Sequence, residues 1–474
     1  MRKYSISKAS SILQVTSQTL RNWDKDKILV PEYVSDSGYR YYSEKQLANF
    51  MKEKNKSYTF PKNNGKIFRD NIYGNIPIEY KIISDLIDTK EVQRLRRIRQ
   101  LSGVSMVFHT AEHSRFAHSI GAYYIAYRMI TESKDICESL SEYEKVVLLI
   151  SALLHDIGHG PYSHAFEHVF EIKHEQVTCQ MILDERTEIN KVLADYPGLA
   201  SDVSGIINHE GKFPIVESLV SSQLDVDRLD YLNRDAHFTG ATYGFVDVDR
   251  LIRVTKVVKG QICYRAAGVH AIENYLMSRY HMYWQVYYHP KARSYEIILE
   301  SIYLRIKDMI IQKKQIEADV TLLNNVFLYH DIEDYIDMDD AYINGIIKQL
   351  TKSNDLILND LCNSFMNRKL FNFLYLRNEE ETEQSLKIKN EYKNNEILSR
   401  YYYKEDIVSQ VTYLTYLNSG NDIDVKNILI LLDNGLLQSL EQYSPIVKGL
   451  LESGQKREKK VFFKKPSFGD NKNV

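Results

Sequence analysis

Cysteine and proline are scarce in this chain of 474 residues, which contains four cysteines and nine prolines. The cysteines, at positions 137, 179, 263 and 362, lie far apart and form no CxxC pair. This spacing indicates neither a zinc knuckle nor a disulfide framework. No apolar run reaches the length of a membrane span, and the first four residues lead into no signal-peptide core. We therefore expect a reducing, cytoplasmic setting and no membrane partner.

A dominant sign of charge is also lacking, because the formal net charge of the chain is only -2. That balance conceals an asymmetry: residues 1–66 contain thirteen Lys/Arg against six Asp/Glu, and residues 455–474 contain seven against two. A basic N-terminal segment beside an acidic body suggests contact with nucleic acid at that end. The phosphate-binding pattern GxxxxGK[ST] is absent, so the sequence does not predict a P-loop nucleotidase.

The first fifty residues have the pattern of a compact helical unit. A helix is predicted from Ser5, and Thr16 is a suitable N-cap for a second helix. A short hairpin follows, and Ser43 with Gln46 forms a predicted capping box that opens a third helix. We assign residues 1–50 to this unit and residues 51–66 to a polar linker.

The most informative stretch is an apolar run, Val146 to Leu154, that is followed directly by His155 and Asp156. Ionisable groups at the end of a fully apolar helix are costly unless something pairs with them. A divalent metal ion is a natural partner for imidazole and carboxylate together. Another His-Asp pair, His330 and Asp331, lies in an acidic segment with no neighbouring histidine, so we expect no metal there.

Two further helices carry polar side chains on one face. One face of the first is formed by Asp227, Arg228, Tyr231, Arg234 and Asp235, and one face of the second by Arg279, Tyr283 and Tyr287. Each face alone also fits a solvated helix surface. Beside the histidine-rich segment, they favour a pocket for an anionic ligand that contains a ring.

The N-terminal motifs "TLRNWD" and "GYRYYSEKQL" resemble the winged helix-turn-helix of the MerR family. The resemblance implies that duplex DNA is contacted by Gln18, Thr19, Arg21, Asn22 and Arg40. The alternative is that the unit serves as a protein-docking module.

The ordered set His118, His155, Asp156 and Asp227 resembles the H…HD…D signature of the HD phosphohydrolase superfamily. The motifs "IDTKEVQRLRRIRQL", "HSRFAHSIG", "LLHDIGHGPYSHAFE", "HEQ" and "LDVDRLDYLNRD" are similar to those of its deoxynucleoside triphosphate triphosphohydrolases, over roughly residues 66–300. The resemblance implies that these four residues hold one divalent metal ion, of Mn, Fe, Mg or Zn.

The same resemblance implies roles for the other site residues. His164 would lie by the α-phosphate, and Glu167, His174 and His159 would support acid–base chemistry. The triphosphate and its surroundings would involve Arg115, Arg228, Arg279 and Tyr283, of which Tyr283 stands where relatives carry a histidine. The sugar would contact Gln100, Leu101, Tyr231, Asp235 and Tyr287.

We therefore predict a mainly α protein, with an all-helical HD body over residues 67–310 and a helical C-terminal region with a basic tail over residues 311–474. The predicted activity is hydrolysis of dNTPs to deoxynucleoside and tripolyphosphate, in a homo-oligomer with an attached DNA-binding module. Two alternatives remain at this point: a transcription regulator that senses a nucleotide without turnover, and another HD phosphohydrolase such as a nuclease or nucleotidase.

Overall fold

The computed structural model describes residues 2–53, 58–410, 427–453 and 456–467. Part of the predicted linker (54–57) and part of the predicted basic tail (455 and 468–474) lie outside the described residues. Within the described ranges the protein is mainly α, as predicted. No described helix combines the length and the apolar character needed to cross a bilayer.

The N-terminal module, residues 2–53, is a small winged helix-turn-helix. Its elements are β1 (Lys3–Ser5), α1 (Ile6–Ile12), α2 (Ser17–Lys25), β2 (Tyr33–Val34), β3 (Arg40–Ser43) and α3 (Glu44–Glu53). Thr16 caps α2, since its hydroxyl accepts a hydrogen bond from the Thr19 amide at 3.0 Å. The predicted capping box is only half formed: the Gln46 amide donates to Ser43 at 3.3 Å, but the Gln46 side chain turns to the Val30 carbonyl instead.

This module is docked on the HD body. The Tyr4 hydroxyl donates to the Ala194 carbonyl at 2.8 Å, and the Gly198 amide donates to the Glu44 carboxylate at 3.2 Å. Within the predicted linker, Phe60 stacks on Tyr196 with ring centroids 4.7 Å apart. The end of the segment that we predicted as a polar linker is therefore packed on the body, because its two aromatic residues, at positions 58 and 60, bury apolar surface.

The HD body starts with a hairpin, β4 (Ile67–Asp70) and β5 (Gly74–Pro77), and Gly74 has the positive φ of +75° that its turn requires. Its first helices are α4 (Lys81–Ile87), α5 (Lys90–Arg94), α6 (Arg115–Glu132), α7 (Lys134–Ser139), α8 (Glu142–Leu154), α9 (His164–Phe170) and α10 (His174–Leu183). The remaining elements are α11 (Glu188–Leu193), α12 (Leu199–Ile207), α13 (Pro214–Val220), α14 (Val226–Thr239), α15 (Val248–Val254), β6 (Thr255–Val258), β7 (Gln261–Arg265), α16 (Val269–Met282) and α17 (Pro290–Ile311). A π-helical turn, Tyr283–Tyr287, follows α16.

Helix α8 forms the centre of the body. A complete capping box between Ser141 and Glu144 begins it, and every residue from Val146 to Leu154 is buried. Helix α6 packs beside it, and α14 packs on α6, which it approaches closely at Gly121, where a Cβ atom would collide with the Asp230 carboxylate. A side chain at position 121 would thus separate the two helices that carry predicted metal ligands.

The HD body, which we predicted to be all-helical, contains the strands β4 to β7, and the C-terminal region, which we predicted to be helical, contains strands as well. Its helices are α18 (Thr321–Tyr329), α19 (Ile332–Asp337), α20 (Asp340–Leu350), α21 (Leu356–Met366), α22 (Glu379–Lys393), α23 (Glu396–Tyr401), α24 (Leu440–Tyr443) and α25 (Pro445–Glu452). Its strands are β8 (Asn372–Tyr375), β9 (Tyr403–Gln410), β10 (Leu429–Leu431), β11 (Leu437–Ser439) and β12 (Lys456–Phe463). An antiparallel sheet has the order β8-β12-β9, and a second sheet, β11-β10-β7-β6, connects this region to the HD body through the parallel pair β10 and β7.

Candidate active site

The four predicted metal ligands lie together where α6, α8 and α14 meet. The Nε2 atoms of His118 and His155 are 3.2 Å apart. The Asp227 carboxylate is 3.1 Å from Nε2 of His118, and the Asp156 carboxylate is 3.5 Å from Nε2 of His155. Two imidazole nitrogens and two carboxylates therefore converge on one small volume.

The chemistry of this donor set fits a divalent cation. Nδ1 of His155 must donate to the Ala152 carbonyl, at 2.9 Å, because a carbonyl can only accept. In a neutral imidazole, this leaves the lone pair of Nε2 directed at the cluster. Nδ1 of His118 is 2.8 Å from the Asp230 carboxylate, the arrangement that orients a metal-binding histidine. Burial lowers the pKa of His118, but Asp227 and Asp230 raise it to about 10, so the cluster strongly favours positive charge.

Arg115 borders this cluster. Its Nε donates to the Ser163 hydroxyl at 2.9 Å, and its Nη1 forms an ion pair with Asp156. Burial raises the pKa of Asp156, but Arg115 and the neighbouring histidines outweigh that effect and hold it well below its ordinary value. Asp156 is therefore ionised and available as a ligand at neutral pH.

A second group of ionisable side chains adjoins the first. The Glu167 carboxylate lies 2.6 Å from Nδ1 of His159 and 3.3 Å from Nδ1 of His174. The imidazole rings of these two histidines stack with centroids 3.8 Å apart. His159 also lies 3.3 Å from Asp156 through Nε2. The side chain of His164 is 79% exposed, and its Nδ1 lies 3.9 Å from Glu167. The predicted catalytic residues thus form a compact trio, with His164 at its solvent side.

The aromatic residues predicted to contact a sugar surround Asp235. The Tyr287 hydroxyl donates to one oxygen of Asp235 at 2.6 Å, and Nε2 of His113 lies 2.8 Å from the other oxygen. The ring of Tyr231 is 6.4 Å from that of Tyr287 and 6.5 Å from the imidazole of His118. The residues around Asp235 consequently adjoin the metal cluster.

Gln100 and Leu101, the other predicted sugar contacts, lie on the segment next to His113. The Gln100 amide donates to the His113 carbonyl at 3.0 Å. The side-chain oxygen of Gln100 is buried and has no hydrogen-bond partner within the described part of the chain, while Leu101 is buried. A buried acceptor of this kind is suited to a ligand hydroxyl or amine.

The three arginines predicted to bind phosphate differ in their ion-pair and hydrogen-bond partners. Arg115 is paired with Asp156, and Arg228 is paired with Asp225 and the Ser222 carbonyl. Nε of Arg279 is buried and finds no acceptor among the described residues. Arg279 lies with its guanidinium 5.8 Å from the centre of the Tyr283 ring. Arg279 thus has a buried donor left for an anionic ligand.

Two residues of this network, Asp230 and His113, were not predicted from the sequence, and a third, Arg234, was predicted to line a ligand pocket. Asp230 holds His118, His113 holds Asp235, and Arg234 donates to Asp230 at 2.9 Å and to Asp70 at 2.9 Å. Arg234 is fully buried, so it serves this network and does not face a ligand. The spacing of Asp230 and Arg234, four residues apart on one helix, was the one signal in the sequence for their pairing.

The residues predicted to contact DNA lie mainly on the surface of the module. Gln18, Arg21 and Asn22 on α2 are exposed, and Thr19 is half-buried. Arg40 donates to Asp24 at 2.7 Å, so its guanidinium is already engaged in an ion pair within the module. The exposed face of α2 is available to a partner in this docked arrangement.

Comparisons with known proteins agree with this architecture. The HD domain family matches residues 115–235, the HD associated region matches residues 246–463, and the MerR HTH family of regulatory proteins matches residues 4–52. The chain is 39% identical over 408 residues to the uncharacterized protein YwfO of Bacillus subtilis, covering 84% of this chain and 92% of that protein.

Two other relatives have informative names. The deoxynucleoside triphosphate triphosphohydrolase SAMHD1 homolog of Dictyostelium discoideum is 29% identical over 327 residues, covering 65% of this chain and 60% of that protein. A crystal structure of a phosphohydrolase from Bacteroides thetaiotaomicron superposes with a TM-score of 0.73 at 28% identity, covering 85% of this chain and all of that one. The HD signature, the associated region and these relatives agree, and the chain belongs to the HD-domain phosphohydrolase family, as a member with a MerR-type helix-turn-helix at its N-terminal end.

Proposed function

We propose that this protein hydrolyses deoxynucleoside triphosphates to deoxynucleosides and tripolyphosphate. The observation that carries the proposal is the adjacency of the metal-ligand cluster to Tyr231, which packs near Tyr287 and its partner Asp235. The guanidinium of Arg279, with its unpaired Nε, lies 5.8 Å from the centre of the Tyr283 ring, which is 5.0 Å from the ring of Tyr287. Such a site suits a ligand that combines a sugar with phosphate groups. The name of the Dictyostelium relative supports the same substrate class.

His118, His155, Asp156 and Asp227 would hold one divalent metal ion, which supplies Lewis-acid chemistry to a phosphate oxygen when bound. Arg115, Arg228 and Arg279 would neutralise the triphosphate, because guanidinium groups pair well with phosphate oxygens. Arg115 and Arg228 would exchange their present carboxylate partners, Asp156 and Asp225, for the substrate.

In this reaction, water oxygen forms a bond to the α-phosphorus while the bond from phosphorus to O5′ breaks. A proton must leave the water, and O5′ must gain one. We assign this proton transfer to His164, supported by Glu167, His174 and His159, because Glu167 links the three histidines and His159 lies 3.3 Å from Asp156. Burial raises the pKa of Glu167, but its contacts with the three histidines lower it below the ordinary value, so Glu167 is an acceptor that can hold them in orientation.

Incubation of the pure protein with each dNTP and Mn²⁺, followed by ion chromatography, tests the proposal. We expect deoxynucleoside and tripolyphosphate as products, whereas monophosphate products would indicate another HD phosphohydrolase. Absence of any turnover in the presence of bound nucleotide would favour the sensing regulator.

The metal assignment has its own test. His155→Ala and Asp156→Ala should each lose bound metal and turnover while the protein stays folded, because each removes a ligand. His330→Ala is the control, since His330 ends α18 and belongs to neither ionisable cluster. Unchanged metal content and full activity in either ligand variant would refute the assignment.

We also propose that the N-terminal module binds duplex DNA. The match of residues 4–52 to MerR regulatory proteins supports this, as does the exposure of Gln18, Arg21 and Asn22 on α2. The docking contacts of Tyr4, Lys8 and Glu44 come from other elements of the module, which leaves α2 accessible.

A further inference from the structure

The four residues that separate His159 from His164 include a strained turn. Tyr162 has φ of +56° and Ser163 has φ of +47°, and both carry side chains that disfavour this left-handed region. Residues in such conformations persist only where the surroundings hold them in place, and they are frequent at functional sites. The turn precedes α9, whose first residue is His164.

Helix α20 of the C-terminal region holds this turn. The Tyr162 amide donates to Oδ1 of Asp340 at 2.9 Å, and the Tyr162 hydroxyl donates to Oδ1 of Asn344 at 2.8 Å. Tyr162 and Asp340 are 2% and 6% exposed, so water competes little for these bonds. From the other side, Arg115 donates to the Ser163 hydroxyl at 2.9 Å.

The same carboxylate anchors a second segment of the site. Oδ2 of Asp340 accepts a hydrogen bond from the Arg99 amide at 3.0 Å. Arg99 directly precedes Gln100, whose buried side-chain oxygen we have assigned to the substrate pocket. Asp340 therefore joins the turn before His164 to the segment that carries Gln100, and it does so without being near the metal ligands in sequence.

We propose that Asp340, assisted by Asn344, is a positioning residue for catalysis. By holding Tyr162 in its left-handed conformation, it sets the start of α9 so that the ring of His164 lies 5.9 Å from that of His159, beside Glu167. This inference rests on the proposed function for the catalytic role of His164. It gives the C-terminal region a part in the reaction through a residue that contacts no substrate.

A double-mutant cycle tests the proposal. Asp340→Ala leaves two buried amides without an acceptor, and we expect kcat for dNTP hydrolysis to fall by about 10-fold or more, because small misplacements of a catalytic group have large effects. In a His164→Ala background, the same substitution should change kcat by less than about 2-fold, since the group that it positions is gone. An undiminished effect of Asp340→Ala in that background would overturn the proposal.

The matched control is Asp360→Ala, because Asp360 is also 6% exposed and also accepts a hydrogen bond from a backbone amide, that of Ser467 at 3.2 Å. Its kcat should stay within about 2-fold of the wild type. If Asp340→Ala fails to fold, Asp340→Asn retains one acceptor oxygen and should show a smaller loss that again vanishes in the His164→Ala background.

Amide hydrogen exchange gives a readout that needs no activity. Exchange over residues 158–166 should be faster in Asp340→Ala than in the wild type and unchanged in Asp360→Ala. Unchanged exchange in Asp340→Ala would overturn the anchoring role. If the wild-type protein hydrolyses no dNTP, the proposed function fails, while this measurement still decides whether Asp340 holds the turn.

Discussion

Asp230 shows how a single residue behind the metal ligands can set their chemistry. It is fully buried, and it accepts from Arg234 while it contacts Nδ1 of His118 at 2.8 Å. Carboxylates in this position fix the orientation of the imidazole and raise its basicity. We expect Asp230→Asn, which keeps the size but removes the charge, to weaken Mn²⁺ binding by roughly 10-fold or more in a calorimetric titration.

The control for Asp230→Asn is Asp308→Asn. Asp308 is also buried and paired with an arginine, Arg400, but it belongs to neither ionisable cluster of the site. We expect Asp308→Asn to bind Mn²⁺ like the wild type. Equal affinities in all three proteins would show that Asp230 does not act on the metal site.

Tyr287 is the residue to which we assign discrimination between ribose and deoxyribose. Its hydroxyl bonds to Asp235 at 2.6 Å, and this bond fixes the ring beside the pocket. A ring closed against C2′ leaves no room for a hydroxyl group. We expect Tyr287→Ala to raise the ratio of kcat/KM for ribonucleotides to that for deoxyribonucleotides.

Tyr287→Phe is the matched variant, because it retains the ring and loses only the hydroxyl. We expect the ratio of kcat/KM for ribonucleotides to that for deoxyribonucleotides to be closer to the wild-type value in Tyr287→Phe than in Tyr287→Ala. A ratio that is the same in the wild type and in Tyr287→Ala would place Tyr287 outside the sugar pocket.

At the scale of single residues, the sequence predicted those site residues that follow the order of a known motif along the chain. His118, His155 and Asp227 lie together as the H…HD…D order implied, and Asp156 lies 3.7 Å from His118 and 3.5 Å from His155. Asp230 and His113 were missed because their roles depend on pairs that are 112 and 122 residues apart in sequence. Nothing in the local pattern of either residue distinguishes a carboxylate or an imidazole that supports the site from one that faces solvent.

At the scale of elements, the buried carboxyl group of Asp340 at the start of α20 should make the free energy of unfolding depend on pH. Burial raises the pKa of Asp340 from 3.8 to about 6, although two backbone amides lower it. Between these pH values the unfolded chain loses the proton while the folded protein retains it, so rising pH favours unfolding. Asp340 should therefore reduce the free energy of unfolding by on the order of 3 kcal/mol between pH 4 and pH 6, with no further change above that range.

Chemical denaturation of the wild type and Asp340→Asn at intervals from pH 4.5 to pH 7 measures this contribution. Other groups titrate in the same range, so the relevant quantity is the difference between the two proteins at each pH. The wild type should lose stability relative to the variant up to about pH 6. A constant difference across the range would show that Asp340 does not titrate there.

Helices were easier to predict than strands, for a physical reason. The periodicity and caps that define α8 and α14 lie within each segment, so the sequence contains the whole signal. Strand β12 pairs with β8 and β9, which are distant in sequence. Its charged residues also interrupt the alternation of apolar and polar residues that would indicate a strand. Our prediction of a helical C-terminal region overlooked Asp433-Asn434-Gly435, with Gly435 at φ of +81°, which is a turn signal between β10 and β11.

At the scale of the whole molecule, the N-terminal module and the HD body form one packed unit over the described residues. Tyr4 and Glu44 bond to the segment between α11 and α12, and Arg2 donates to Asn190 at 2.8 Å. Helix α12 in turn packs on α10, which begins with His174 of the candidate active site. The orientation of the module is therefore defined relative to the site, and it would not rotate freely about a flexible tether.

The last prediction concerns DNA binding by the full-length protein. A single winged helix-turn-helix makes few phosphate contacts, whereas several modules held by one homo-oligomer would bind together through avidity. We expect Arg21→Ala and Arg40→Ala to weaken binding to duplex DNA without changing dNTP hydrolysis. Loss of one phosphate contact should also reduce the dependence of log affinity on log salt by about 1.

Gel-shift titrations at several salt concentrations, with hydrolysis and light scattering on the same preparations, measure these effects. Arg253→Ala is the control, because Arg253 is exposed on α15 of the HD body, away from the module. Arg21 faces solvent on α2, whereas Arg40 must leave its ion pair with Asp24 to reach phosphate, so Arg21→Ala should have the larger effect. If neither variant changes DNA affinity and both change the oligomer mass, the module is a protein-docking element, and our proposal of DNA binding is wrong.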